Sequence, residues 1–247
     1  GLTKKYKAKL ERISGLKENK DFFVGYSPER VNPGDKIHTI NNINKIVSIK
    51  TQNSLIKKKI FLVYKHVSKK IIFSKNIESA ETAKVIENIQ RDLNIALMNE
   101  ILVICKKLKI NFKEVMRLAE TKWNFMKFNP GLVGGHCLPV DPYYLSSIAK
   151  KNKVDAKVVL SGRKVNDNML NFIMKELKKF LKFKKKTISS SKILLIGLSY
   201  KAGIADMRNS INFKIFKFLL KHSNEVKAFD PFVKNEMKSR YQILDYI

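Results

Sequence analysis

Cysteine is scarce, with only Cys105 and Cys137 in 247 residues. Two thiols cannot build a disulfide framework, so the sequence points to a reducing compartment, with the cytoplasm as the expected location. Long apolar runs are missing as well. No stretch approaches the roughly 18 residues that a membrane span needs, and the opening GLTKKYKAKL lacks the apolar centre of a signal peptide, so no membrane partner is expected. Acidic residues are few: 21 Asp and Glu stand against 50 Lys and Arg, a formal charge of +29. Charge of that size attracts polyanions without any dedicated motif. The lysines are spread along the whole chain, however, with the richest run KKFLKFKKK at 178–186, and this reads as solvated faces and compositional drift; nucleic acid is not an expected partner. There is no G-x-G-x-x-G and no solenoid repeat. Apolar residues, by contrast, make up 44% of the chain, enough for one large core or two modest ones in a globular protein.

The pattern of those residues predicts an α/β protein. Residues 22–25 read as a strand that breaks at Pro28, Pro33 and Gly34 into a loop. INKIVSI and KKIIFS read as two further strands, with SLIKKKIFLVYKHV as a helix between them. From Ser79 the period changes: Ala83, Ile86, Ile89, Leu93, Leu97 and Ile101 recur every three or four residues, one side of a long helix. NFKEVMRLAE adds a short helix, and residues 122–140 a Gly- and Pro-rich loop. DPYYLSSIAKK restarts a helix with Asp141 as the expected N-cap and Pro142 at the first helical position. Val165, Met169, Phe172, Ile173, Leu177 and Phe180 mark one more long amphipathic helix, whose apolar stripe needs a partner such as another subunit. After TISSS, KILLIGLSY reads as a buried strand, SINFKIFKFLLKH as a helix and EVKAFD as a strand, a βαβ unit.

Chemistry concentrates at a few places. Cys137 lies in PGLVGGHCLPVD, where Gly134 and Gly135 let backbone approach a ligand and Pro139 stiffens the loop. Cys105, on an apolar helix, reads as a small core residue. Asp141 is near enough in sequence to hydrogen-bond a water beside the sulfur, while His136 reads as structural or substrate-shaping. One His and one Cys fall short of a metal site. Lys84 and Asn88 are an i, i+4 pair on one helix face, able to stabilise an oxyanion or equally to be a solvated face. Glu29 sits on a loop after a strand, where a carboxylate can handle a proton. GLSYKAGIADMRNS, residues 197–210, lies between a strand and a helix N-terminus, a usual place for phosphate, with Lys201 and Arg208 adding charge.

Taken in order, VGYSPERVNPGD, AETAKVIENIQRDLNIALMNE, TKWNF, PGLVGGHCLPVDPYYL, SGRKVND and GLSYKAGIADMRNS resemble the UDP-glucose/GDP-mannose dehydrogenase family, and within it the branch that oxidises UDP-N-acetylhexosamines. The resemblance runs from Gly1 to Pro231, and the final FVKNEMKSRYQILDYI matches poorly. It implies oxidation of a nucleotide sugar at C6 to a carboxylate, with two NAD reduced, in the service of surface polysaccharide synthesis. Cys137 matches the family nucleophile, which captures an aldehyde as a thiohemiacetal and passes through a thioester. Lys84 and Asn88 match the oxyanion-stabilising pair, Asp141 and Glu29 carboxylates that position or activate water, and Arg163 an arginine that reaches the substrate of the neighbouring subunit. Lys201 and Arg208 match residues near sugar nucleotide and cofactor.

The departures from the family pattern set further expectations. Without the Gly-rich loop the chain reads as starting inside the NAD-binding domain, with most of the NAD grip missing, and the C-terminal domain reads as cut short after AFDPF. KHSNEV lacks the glycine expected before the second strand. The expected organisation is a remnant of a Rossmann-like NAD domain over 1–75, a central all-α dimerisation domain with the cysteine loop over 76–187, and a partial Rossmann-like UDP-sugar domain over 188–247. A homodimer through the central helices is expected. The alternative is an inactive piece that serves as a dimerisation or basic polyanion-binding module.

Overall fold

The computed structural model describes residues 2–233, 241, 243 and 244. A six-residue strand rich in β-branched side chains organises the first of two units, Gly1–Glu87. This strand, β2 (Asn44–Ile49), lies between β1 (Gly25–Tyr26), antiparallel to it, and β3 (Lys70–Ser74), parallel to it with Ile46 opposite Ile72. The parallel pair is joined by α2 (Ser54–Lys65), which starts where the Asn53 side chain accepts from the N–H groups of Leu55 and Ile56. Val47, Ile49 and Ala80 are the buried apolar residues of this unit. A helix α1 (Leu2–Ser14) precedes the sheet, and the Thr3 hydroxyl donates to Glu81 (2.6 Å).

The strand expected at 22–25 forms instead at Gly25. Upstream of it the chain folds back on itself: Asn19 has φ 66°, the Asp21 carboxylate accepts from Lys17 N (2.8 Å), and Phe22 makes only an isolated bridge with Glu18.

The second unit, Asn88–Ile247, begins within α3 (Ile77–Lys107), a helix of 31 residues. The helical series continues with α4 (Phe112–Ala119), α5 (Asp141–Lys151), α6 (Lys157–Asp167) and α7 (Met169–Phe183). A βαβ unit follows: β4 (Lys192–Ile196), α8 (Ile211–His222) and β5 (Glu225–Phe229), with β6 (Ile243–Leu244) added parallel to β5. One apolar cluster joins α7 to α8 through Met174, Leu181, Ile211, Ile215 and Leu219. A second packs Phe216 of α8 on Ala228, Leu198, Val233 and Ile243.

Three expectations change in this unit. The helix read across 165–180 is two helices divided at Asn168, which closes α6 by donating its N–H to Lys164 O and Val165 O. Asn166 and Asp167 just before it have weak helix propensity, and their side chains are engaged elsewhere. The apolar stripe of α7 finds its partner within the chain, in α8 and the sheet beyond it, although Phe180 stays exposed. Strand β4 is not buried on both faces: Leu194 and Ile196 are exposed. Residues 234–240, 242 and 245–247, within the stretch that matched the family pattern poorly, lie outside the described residues. Among the described residues no helix is long and apolar enough to cross a membrane.

Candidate functional site

Cys137 is exposed at the end of an irregular segment that turns directly into α5. Its carbonyl accepts from the N–H groups of Val140 (3.1 Å) and Asp141 (2.9 Å), so the thiol sits one turn ahead of the helix start. Asp141 is not the N-cap. That position falls to Val140, which makes no side-chain cap bond, and Asp141 is the first helical residue. Its carboxylate is used elsewhere: Asn88 Nδ2 donates to Asp141 Oδ2 at 2.6 Å, reaching across from α3. A carboxamide has two N–H donors, and this bond takes one. The structure therefore brings Cys137, Asp141 and Asn88 together.

The glycines before the thiol act differently from their sequence reading. A Cβ on Gly134 would lie 2.9 Å from Asn209 O and 2.9 Å from Tyr200 Cβ, and one on Gly135 (φ +88°) would lie 3.0 Å from the Tyr200 ring. The close approach is thus to protein, the loop between β4 and α8, rather than to an open ligand space. Asn209 completes the contact by donating Nδ2 to Gly135 O (3.2 Å). Burial first, then the negative charge of Asp206 and of the Cys137 thiolate, pushes the Tyr200 phenol above its ordinary range.

The β4–α8 loop already holds an anion at its base, the carboxylate of Asp230. Its Oδ2 accepts from Leu198 N (2.8 Å), Ser199 N (2.9 Å) and Ser199 Oγ (3.0 Å), and its Oδ1 from Phe232 N (3.0 Å). Burial opposes ionisation, yet the backbone donors outweigh it and the carboxyl sits below the usual range. Further along, Arg208 forks onto Asp206 through Nε (2.9 Å) and Nη2 (2.6 Å), which lowers the Asp206 pKa. Lys201 is half-buried in the same loop.

Arg163 does not point outwards. It is 1% exposed and paired with buried Asp92 through Nη1 and with Asp167 through Nη2 (3.1 Å). Asn166 Nδ2 donates to Asp92 Oδ1 (2.7 Å) and Asp92 O (2.9 Å). The sequence reading missed Asp92, Asn99 and Asn166, all fully buried polar residues.

In the first unit, Glu29 turns back on its own loop. Oε1 accepts from Arg30 N and Val31 N, each at 2.7 Å, and Lys45 lies 3.7 Å from Oε2. The Val31 N–H, with Lys45 and Arg30 N–H assisting against burial, holds its carboxyl below the ordinary value. Lys84 lies one helical turn before Asn88 on α3.

The NAD that the family pattern implies needs a glycine-rich turn between strand and helix. Among the described residues the strand-to-helix turns of the first unit that follow β2 and β3 are residues 50–53 and 75–76, neither with a glycine. The residues present do not form that cradle. Among the described residues no cluster of three or more His, Cys, Asp or Glu could hold a metal.

Comparison with known proteins extends this geometry. The model of the UDP-glucose/GDP-mannose dehydrogenase family, central domain, matches residues 78–168, and that of the same family's UDP binding domain matches residues 194–247. The second match carries the likeness past Pro231, where the sequence reading had ended it. The chain is 44% identical over 237 residues, 95% of its length, to UDP-N-acetyl-D-glucosamine 6-dehydrogenase of Salmonella typhi, and 42% identical over 92% of its length to the enzyme of that name from Pseudomonas aeruginosa. Among solved structures, UDP-D-ManNAc dehydrogenase of Pyrococcus horikoshii superposes with a TM-score of 0.84 at 33% identity, covering 95% of this chain and 55% of that one. The chain spans 55% and 54% of the two curated relatives, about half their length. With the family's central domain and its UDP binding domain matched in order along the chain, the chain belongs to the UDP-glucose/GDP-mannose dehydrogenase family.

Proposed function

We propose that this chain carries the thiol and sugar-nucleotide part of an enzyme that oxidises a UDP-N-acetylhexosamine at C6 to the uronic acid, for surface polysaccharide synthesis. The observation that carries the reading is the exposed Cys137 beside an Asp141 carboxylate fixed by Asn88. The greater identity to the UDP-N-acetyl-D-glucosamine enzymes, 44% against 35% for the UDP-N-acetyl-D-mannosamine enzyme, favours the gluco substrate.

NAD would be the electron acceptor for both oxidations, and no residue of this chain is assigned to its diphosphate. The chain's own part is covalent and hydrolytic. The Cys137 thiolate adds to the C6 aldehyde to give a thiohemiacetal; its oxidation to a thioester would pass a hydride to an acceptor such as NAD and a proton to solvent. Water, held by Asp141, attacks the thioester carbon, so that the C–S bond breaks and carboxylate and thiol are released. The second N–H of Asn88 points to stabilisation of the oxyanion in these additions. Lys84 and Glu29 keep the roles that the resemblance implies, oxyanion stabilisation and proton handling. Lys201 and Arg208 are assigned to the sugar nucleotide and cofactor.

The test is product analysis with UDP-N-acetylglucosamine and NAD, beside Cys137→Ala. The uronate is expected from the parent and none from the variant, with UDP-sugar binding retained; uronate formed at the parent rate by Cys137→Ala overturns the reading. We also infer a homodimer through the central helices, because Leu97, Ile104 and Leu108 form an exposed apolar row on and just after α3. A monomer in sedimentation at micromolar concentration would dismiss it.

A further inference from the structure

One row of α3 grips the cysteine loop at both of its ends. Asn88 bonds Asp141 on the downstream side, as described. Eleven residues on, about 16 Å along the helix axis, Asn99 brackets the peptide of Gly131 on the upstream side: Nδ2 donates to Gly131 O (2.9 Å) and Gly131 N donates to Oδ1 (2.9 Å). The same Nδ2 donates to Asn166 Oδ1 (2.8 Å), and Asn166 in turn holds Asp92, which lies between the two grips on α3. From Asp92 the chain of bonds continues through Arg163 to Asp167, whose other oxygen accepts from the Tyr143 hydroxyl on α5 (3.3 Å). Asn99, Asp92 and Asn166 are shut off from solvent.

A buried amide whose oxygen and both N–H donors are committed is a stiff attachment, because releasing it strands donors and acceptors away from water. Close packing keeps the row in place: a Cβ on Gly162 of α6 would lie 2.3 Å from Leu93 Cδ2, so α6 packs directly on α3 and a side chain there would require Leu93 to move. Among the described residues the thiol itself has no side-chain tether. Its position is set through its backbone: by where the loop begins at Gly131, by the contact of Gly134 and Gly135 with Tyr200 and Asn209, and by where α5 starts.

We infer that Asn99, acting through Gly131, is a positioning residue for the Cys137 thiol, with Asn166 and Asp92 holding Asn99 in register. This rests on Cys137 being the reacting group, but its test reads the thiol and the loop rather than turnover. Catalysis needs such control, since reacting atoms displaced by about 1 Å lose much of the benefit of pre-orientation.

The experiment compares the parent chain with Asn99→Asp, which keeps size and one acceptor but loses both donated bonds. Met98→Ala, a cavity variant of the neighbouring buried residue, controls for lost stability. Two readouts are taken on each folded protein: amide hydrogen exchange of residues 131–137, and the pH–rate profile of Cys137 alkylation by iodoacetamide, followed by peptide mass spectrometry. Cys105 is buried and serves as the internal reference. In Asn99→Asp, exchange in the loop is expected to quicken roughly fivefold and alkylation of Cys137 to quicken with a displaced pH profile, while Met98→Ala leaves both near the parent. Faster exchange with unchanged alkylation would make Asn99 a structural clamp only and overturn the inference, as would two unchanged readouts or a matching change in Met98→Ala. Should Asn99→Asp not fold, Asn166→Ala, which withdraws the acceptor behind Asn99, is held to the same criteria. Loss of uronate formation plays no part in these outcomes, so failure of the proposed activity would be seen separately.

Discussion

Asp92 in the helical region and Asp230 in the βαβ region are both buried carboxylates, and their surroundings treat them in opposite ways. Asp230 meets four donors, three of them backbone N–H groups, and its pKa falls. Asp92 crowds its bonds onto Oδ1 and its backbone, while among the described residues Oδ2 and the Nε of Arg163 have no hydrogen-bond partner. Burial dominates there, against the pull of Arg163 and Asn166, and the pKa rises. Burial by itself does not set the charge of a carboxylate; the number of N–H groups aimed at it does.

The largest effect that would break this comparison is expected from Asp92→Ala. It leaves the Arg163 guanidinium buried with only Asp167 beside it, and loss of one partner of a buried pair costs about 3–5 kcal/mol in urea unfolding. A loss below about 1 kcal/mol would mean the pair behaves as a surface one. Amide substitution sharpens the contrast. Asp230→Asn turns an NH2 group towards backbone N–H donors and is expected to cost about 2 kcal/mol, whereas Asp92→Asn keeps the Oδ1 acceptor for Arg163 and Asn166 but removes the charge facing the guanidinium, and is expected to cost less than Asp92→Ala.

Acidity separates the two again. The folded pKa of Asp230 lies below its unfolded value, so its contribution is complete above the ordinary carboxylate range and is lost as pH falls through the folded value. That of Asp92 lies above, so its contribution is complete in acid and declines as pH rises from the ordinary range through the folded value. Urea midpoints against pH for the two Asn variants should change slope in opposite senses. The smallest effect belongs to Arg208→Gln: its pair with Asp206 is exposed on the arginine side, and the urea midpoint should stay at the parent value within error.

Much of the fold was legible because period and punctuation agreed. Helices α2, α3, α4 and α8 and strands β2, β3 and β5 follow their apolar patterns, and Asn53 and Ser210 mark two helix starts by capping. The division at Asn168 was hidden because one apolar period runs unbroken across it. Cys137 stood out through its Gly and Pro neighbours. Its supports did not, since Asp92, Asn99 and Asn166 are polar and polarity reads as exposure. A signal was nonetheless present: Asn88, Asp92 and Asn99 share one face of α3 with buried Ala96, and Gly162 offers a matching gap. The roles of Gly134 and Gly135 escaped for another reason, because their neighbours lie some 65 to 75 positions away in sequence.

That long reach has a kinetic meaning. Asp92 must find Arg163 and Asn166 across 71 and 74 positions, while Asp230 finds Leu198 across 32. Closing the longer loop costs more chain entropy before any bond rewards it. The βαβ region is therefore expected to acquire protected amides first and the α3–α6 seam last, an order that pulse-labelled hydrogen exchange during refolding reads directly. The thiol's scaffold would then be the last part of the unit to set, and a newly made chain would keep the Cys137 loop unaligned until nearly everything else had folded.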